Sequence, residues 1–215
     1  MSDRYPGYDV LAKRNTPSWN KATREVVDER LAVPPGPRFF TAEEWPTVQA
    51  VCARLLPQPT DRPAIPLPAY VDQKLHEDRR DGHRRADLPP QREAWRRGMA
   101  ALDAEAQAAH GKRFHELAPF DQDRLLTAMQ AGDLHDPAWA GMPPQHFFVE
   151  RLIADVTPAY YAHPTAWNEI GWGGPASPRG YVRMGFGQRD PWEAAEAHGD
   201  DHAEAEQRNR HVGRR

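Results

Sequence analysis

The stretch FFVERLIADVTPAYYAHPTAWNEIGWGGPASPRGY, residues 147–181, contains the features that decide the fold. Its first half carries Phe148, Leu152, Val156 and Tyr160 at a spacing of four, which is typical of one face of an α-helix. Its second half is too aromatic for a flexible linker and too rich in Gly and Pro for a regular element. The stretch therefore predicts a core helix that leads into an ordered aromatic loop.

Further helices are predicted upstream of this stretch. The first begins at a capping box formed by Thr41 and Glu44, and the second begins near Pro68. The third carries an apolar stripe from Trp95 and ends before Gly111, where a terminating glycine is expected. The fourth begins at Pro119, ends at Gly132 and is expected to turn four side chains inward: Phe120, Leu125, Leu126 and Met129.

These patterns together predict the fold class. No convincing strand pattern occurs, and the one candidate, Tyr181–Phe186, is weak. We therefore expect an all-α protein, an irregular bundle of about five helices with an extended N-terminal arm and an ordered aromatic, Gly- and Pro-rich loop.

Composition divides the chain into three parts. Residues 1–37 form an N-terminal arm, residues 38–187 the helical domain, and residues 188–215 a charged C-terminal tail. The arm has a short helical candidate at residues 21–31 but too few apolar residues for its own core, so its aromatic residues dock onto this domain or onto another chain. The tail, in which Trp192 is the only aromatic residue, is either a frayed surface helix or disordered.

Charge and cysteine content exclude several classes of protein. The 215 residues carry a net charge of −3, so the strongly basic footprint of a nucleic-acid-binding domain is missing. The single cysteine, Cys52, excludes an intrachain disulfide and favours a buried structural thiol. No run of about 18 apolar residues predicts a membrane span, and no signal peptide is recognisable, which favours the cytoplasm.

Few residues suggest chemistry within this chain. Its three serines lie outside any nucleophile elbow, and the glycines at 171–174 lack the flanking strand and helix of a phosphate-binding motif. His198 and His202 are half of a metal site at most. We predict no catalytic, cofactor-binding or metal-binding residue, although a stand-alone enzyme using His163 and nearby carboxylates such as Glu169 stays open as an alternative.

The aromatic residues themselves are the candidate site. Trp and Tyr offer large contact areas and are enriched at interaction hot spots. The alternative is that these rings cap the helical bundle, or that the loop pairs with itself in a homo-oligomer. The candidate partner-binding residues are Tyr161, His163, Trp167, Trp172, Tyr181 and Arg183 in the loop, and Tyr5, Tyr8 and Trp19 in the arm.

Several motifs resemble a known family. They are FFTAEEWPTVQAVCARLLPQ (39–58), PAYVDQKL (68–75), GMAALDAEAQAAHGKRFHELAPFDQDRLL (98–126) and the stretch quoted first. In this order they resemble the gluconate 2-dehydrogenase subunit 3 family, the small subunits of FAD-dependent sugar dehydrogenases. The resemblance covers residues 39–183, most of the chain.

The resemblance implies a role beside another protein. In the family, a large subunit of the glucose–methanol–choline (GMC) oxidoreductase type holds the FAD and the catalytic histidine, and the small subunit has no catalytic residue to carry over. It implies a non-catalytic accessory or stabilising subunit of an FAD-dependent sugar or polyol oxidoreductase, with a cytochrome c subunit as a further candidate partner. Many members begin with a twin-arginine signal that is not seen here. The complex is therefore expected in the cytoplasm, or in the periplasm if it is exported with a partner.

Overall fold

A computed structural model describes residues 4–60 and 62–212. Its helices are, in chain order, α1 (Lys21–Leu31), α2 (Trp45–Leu55), α3 (Leu67–His76), α4 (Gln91–His110), α5 (Pro119–Ala131), α6 (Pro144–Phe147), α7 (Ala154–Tyr161), α8 (Pro164–Glu169) and α9 (His202–Arg210). A π-helical turn, Phe148–Ile153, joins α6 to α7. No strand occurs in these two ranges, so the predicted all-α class is confirmed.

Contacts within the chain define two compact units. Unit 1 consists of the described residues of Met1–Ala32 and Tyr161–Arg215, and unit 2 is Val33–Tyr160. The sequence-based division into 1–37, 38–187 and 188–215 followed composition, whereas the contacts group the arm with the segment after residue 160.

The start of α2 shows the predicted capping box. The N–H of Thr41 donates to Oε2 of Glu44 at 2.8 Å, and the N–H of Glu44 donates to Oγ1 of Thr41 at 3.2 Å. These bonds satisfy two backbone donors that the first helical turn leaves without partners. Regular helix then begins at Trp45.

The ends of α4 and α5 also agree with the sequence. Gly111 and Gly132 follow the two helices with φ of 69° and 83°, which is the left-handed conformation that glycine adopts without steric penalty. Both predicted helix ends are confirmed.

The core of unit 2 forms where α4 meets the π turn and its neighbours. The Trp95 and Phe147 rings pack edge to face with centroids 5.9 Å apart. A Cβ added at Gly98 would lie 2.2 Å from the Phe147 ring, so only glycine permits this approach. The predicted inward face is confirmed, since its four side chains are buried: Phe148, Leu152, Val156 and Tyr160.

Two local expectations for unit 2 were incomplete or wrong. The π turn was not predicted, because a spacing of four residues is compatible with a π turn as well as an α turn. Phe120 was expected to face inward but is 71% exposed, whereas Met129 is fully buried. The two residues are nine positions apart, about two and a half helical turns, so they project from opposite sides of α5.

Unit 1 buries the aromatic residues of the N-terminal arm. Tyr5, Tyr8 and Trp19 belong to one apolar cluster with Val10, Val27, Trp167, Ala194 and Val212. The arm therefore docks onto its own chain, the first of the two alternatives that the sequence left open.

The described part of the C-terminal segment, residues 188–212, packs onto the N-terminal arm, so the hypothesis of a disordered tail was wrong for these residues. The buried Asn209 of α9 donates to the carbonyl oxygens of Pro6 and Ala195, both at 2.9 Å, and accepts the N–H of Ala195 at 2.7 Å. Trp192 is also buried. The prediction relied on the high average charge of the segment and overlooked its few apolar residues, which pack in the same core as the aromatic residues of the arm.

Candidate partner-binding surface

The structure divides the predicted surface aromatics into two groups. Tyr5, Tyr8, Trp19 and Trp167 lie in the core of unit 1, with at most 6% of each exposed. Tyr161, Trp172 and Tyr181 remain on the surface, with exposed fractions of 47%, 38% and 38%. The prediction that the four buried rings bind a partner is therefore corrected. In this structure they pack in the core of unit 1 and offer no contact area to another protein.

The glycines at 171–174 are explained by the rings that pack on them. A Cβ at Gly171 would lie 2.3 Å from the Tyr5 ring, and one at Gly173 would lie 2.7 Å from the Tyr181 hydroxyl. Gly174 has a φ of +73° and would bring its Cβ to 2.7 Å from Val10. The close approach of these side chains to the backbone is sufficient to explain the glycines, and a phosphate-binding role is not needed to account for them.

A buried lysine lies beneath the glycine-rich segment. Lys13 is fully buried, and its Nζ donates to the Tyr8 hydroxyl at 2.8 Å and to the Gly173 carbonyl at 3.0 Å. The same nitrogen lies 5.0 Å from the centroid of the Tyr8 ring and 4.9 Å from that of the Trp192 ring. Because burial penalises the ammonium form, the pKa of Lys13 is lowered to about 7.

Two tyrosine hydroxyls bond to backbone carbonyls of the glycine-rich segment. The Tyr8 hydroxyl donates to the Trp172 carbonyl at 3.0 Å, and the Tyr181 hydroxyl donates to the Gly174 carbonyl. Burial raises the pKa of Tyr8 well above its usual range and that of Tyr181 to about 12. Both phenols are therefore protonated donors at neutral pH and are suited to a structural role.

The segment after Tyr181 is held by a set of acidic side chains. The Asp190 carboxylate accepts the backbone N–H groups of Val182 and Arg183, both at 2.9 Å. The Arg183 guanidinium makes a two-pronged contact with the buried carboxylate of Glu193, at 3.0 and 2.6 Å. Arg183, a predicted partner-binding residue, thus anchors this segment to unit 1.

Between these anchors, three apolar side chains face solvent. Val182, Met184 and Phe186, here called the exposed strip, have exposed fractions of 63%, 81% and 107%. They alternate with the anchored residues Tyr181 and Arg183, so one side of the segment is bound and the other is free. Sequence reasoning missed the strip, although the same alternation was the signal behind the weak strand prediction for Tyr181–Phe186.

His163 has a structural task in this conformation. It occupies the N-cap of α8, and its Nδ1 accepts the N–H of Thr165 at 3.2 Å. A capping ring of this kind satisfies a helix donor, as Asn and Asp more often do.

The histidines near the C-terminus do not share a helix face. His202 is the first residue of α9, whereas His198 precedes the helix and donates its N–H to Asp201. Among residues 4–60 and 62–212, no group of three or more His, Cys, Asp or Glu side chains is arranged to hold a metal ion. Cys52 is buried, as predicted, and its burial raises the pKa of the thiol to about 12.

Comparison with known proteins identifies one family. The family model for gluconate 2-dehydrogenase subunit 3 matches residues 42–174, which includes α2 to α8. No curated protein and no solved structure matches the chain significantly. Within the described ranges, no helix is both long enough and apolar enough to span a bilayer.

Proposed function

The chain belongs to the gluconate 2-dehydrogenase subunit 3 family, and we propose that it is the non-catalytic accessory subunit of an FAD-dependent sugar or polyol oxidoreductase. The family name describes one subunit of a multi-subunit dehydrogenase, so a partner is expected. The observation that carries the proposal for this chain is the exposed strip, an apolar row whose first residues are held by Asp190.

The proposed partner is a flavoprotein large subunit of the GMC type, which carries the FAD and the catalytic residues. Large apolar side chains that are fully exposed on a monomer mark interaction sites when they are grouped. The exposed strip, with Trp172 and Tyr161 on the same unit, supplies apolar contact area for such an interface. A cytochrome c subunit remains a further proposed partner.

The anchoring of the strip supports a docking role. Asp190 fixes the backbone of Val182 and Arg183, and Glu193 fixes the Arg183 side chain. Because the start of the strip is held before binding, association loses less conformational entropy there than it would with a flexible loop. The accessory subunit then stabilises the flavoprotein by covering apolar surface that would otherwise face water.

The placement of His163 disfavours the alternative of a stand-alone enzyme. Its Nδ1 accepts the N–H of Thr165, so the proton of the neutral ring is on Nε2, and neither nitrogen then offers the lone pair that a general base needs. Turnover of a sugar by the purified chain alone, abolished by His163→Ala, would restore that alternative.

The exposed strip also fits a second copy of this chain, so a homo-oligomer is the competing candidate. Light scattering of the purified chain distinguishes the two. A monomer that forms a complex only with the flavoprotein supports the accessory role, whereas a stable symmetric oligomer supports self-association.

Co-expression tests the proposal. A GMC-type flavoprotein from the same organism is produced with and without the chain, and its soluble yield, flavin content and dye-coupled sugar oxidation are measured. We expect each to fall when the chain is left out. A flavoprotein that is equally soluble and equally active without the chain would contradict the proposal.

A further inference from the structure

A cavity of about 520 Å³ lies in unit 2 and is lined by the segment 78–84, by the start of α4 and by Arg151. Small-molecule sites commonly have volumes of roughly 300–1,000 Å³. We propose that this cavity binds a small molecule bearing a carboxylate or a phosphate group. The charged side chains of the lining are those of four arginines and two aspartates: Arg80, Arg84, Arg92, Arg151, Asp78 and Asp81.

The acidic side chains of the lining are already engaged. Asp78 pairs with Arg80 at 2.5 Å. Asp81 accepts from Lys74 at 2.5 Å and from Arg151 at 3.0 Å. Although burial opposes it, these two donors lower the pKa of Asp81, so its carboxylate stays ionised and paired. The two carboxylates therefore leave part of the positive charge of the cavity uncompensated.

That remaining charge belongs to Arg84 and Arg92. Arg84 donates to the carbonyl oxygen of Leu88 at 2.8 Å, and the Arg92 guanidinium lies 5.0 Å from the centroid of the Phe39 ring. Neither arginine forms an ion pair with a carboxylate within the part of the chain that the structure describes. Arg92 acts on Asp78 only through space, where it adds to the lowering of the Asp78 pKa that the hydrogen bond from Arg80 causes. Guanidinium groups bind carboxylates and phosphates through charge-assisted, often two-pronged hydrogen bonds, so these two side chains favour an anionic ligand.

Arg151 gives an independent indication of a missing acceptor. Only 3% of this residue is exposed, and its Nη1 donates to Asp81. Its buried Nε finds no hydrogen-bond acceptor among the described residues. A buried donor without a partner is destabilising by roughly 1–3 kcal/mol. Arg151 lines the cavity, so a small rotation of its side chain on binding would bring this donor to an oxygen atom of the ligand.

The N-terminal end of α4 adds a third contribution. Pro90 is its N-cap residue and makes no side-chain capping bond, and Pro90, Gln91 and Arg92 all line the cavity. Among the described residues, the first N–H groups of this 20-residue helix therefore receive no capping bond from the side chain of the N-cap residue. Unpaired N–H groups and the positive end of the helix dipole attract anions.

Titration calorimetry of the full chain tests the proposal. The probes are glucose 6-phosphate, gluconate and glucose, which have similar carbon skeletons but carry a phosphate, a carboxylate or no charge. At constant ionic strength we expect at least one of the two anions to bind and glucose not to bind. The anion that binds more tightly identifies the class of ligand.

Matched variants locate the binding. Arg84→Gln and Arg92→Gln are each expected to lower the affinity for the anion by about tenfold, since each removes one charge-assisted contact. Arg79→Gln is the control, because Arg79 lies in the same segment but pairs with Glu77 and does not line the cavity. Thermal melting without ligand verifies that each variant is folded.

Three results would overturn the proposal. The chain binds neither anion, it binds glucose as tightly as the anions, or Arg79→Gln loses as much affinity for the anion as Arg84→Gln does. All three are measured on the purified chain alone. The outcome is therefore independent of the accessory role proposed above.

Discussion

At the scale of single residues, Lys13 is the most unusual group in unit 1. Its ammonium is surrounded by the Tyr8 hydroxyl, the Gly173 carbonyl and two aromatic faces, yet its pKa is lowered to about 7 because burial removes it from water. The folded state therefore holds this proton more weakly than the unfolded state, in which the pKa of lysine is close to 10.5.

This difference predicts a pH dependence of stability. Between pH 7 and 9 the unfolded chain binds more protons at this site, so the free energy of unfolding rises with pH, by at most about 1.4 kcal/mol per pH unit. Urea denaturation of the wild type and of Lys13→Met at several pH values measures it. The wild-type slope should exceed that of the variant, and parallel slopes would contradict the lowered pKa.

Gly171 allows a second prediction at this scale. An alanine there would be strained by a φ of +61° and would also clash with the Tyr5 ring. Gly199 has a similar φ of +56° but open space around it, so Gly199→Ala measures the backbone strain alone. We expect Gly171→Ala to lower the free energy of unfolding by about 1–3 kcal/mol more than Gly199→Ala. Equal losses would mean that the close approach of the Tyr5 ring is unimportant.

At the scale of elements, Asp72 shows how a helix fixes the chain that precedes it. This buried carboxylate of α3 accepts the backbone N–H groups of Arg38, Phe39 and Phe40 at 2.7, 2.9 and 2.9 Å. Three backbone donors meet the two oxygens of one carboxyl group, an arrangement that an amide side chain cannot reproduce.

We therefore expect Asp72→Asn to lower the free energy of unfolding by about 2–3 kcal/mol, because the amide replaces one acceptor by a donor. Gln73→Ala, on the same turn of α3, is the control, since the Gln73 side chain donates to the exposed Glu77. Chemical denaturation measures both. A change within about 0.5 kcal/mol for Asp72→Asn would show that these backbone groups find other acceptors.

Elements also show what the sequence could predict. Short sequence patterns were sufficient to predict the capping box of Thr41 and Glu44 and the glycines that end α4 and α5, because the interactions involved span only one or two helical turns. It failed for Phe120, whose phase on α5 opposes that of Met129. It also failed to join the arm to the tail, because contacts such as that of Asn209 with Pro6 link residues about 200 positions apart.

At the scale of the whole molecule, the family match and the exposed strip occupy different parts of the chain. The match ends at residue 174, within the glycine-rich segment, and Val182, Met184 and Phe186 follow it. The sequence indicated a surface rich in Tyr and Trp. Of those rings, Trp167 and the three arm aromatics are instead buried, because the arm folds back onto its own chain.

The strip gives a prediction that separates docking from folding. Because Met184 and Phe186 are almost fully exposed, a Met184→Ser/Phe186→Ser double variant should keep the melting temperature of the isolated chain but lose affinity for the flavoprotein. Phe120→Ser is the control, since Phe120 is an exposed aromatic residue of unit 2. Loss of binding by Phe120→Ser alone would place the docking surface on unit 2 instead.

The central claim, that this chain is the accessory subunit of a flavoprotein dehydrogenase, is tested most directly by the mass of the purified complex. The tagged chain is co-expressed with a GMC-type flavoprotein from the same organism, and the eluted material is analysed by size-exclusion chromatography with light scattering and flavin absorbance. We expect one complex that contains both chains and bound flavin. Elution of this chain without the flavoprotein, while the flavoprotein remains soluble and active by itself, would contradict the account.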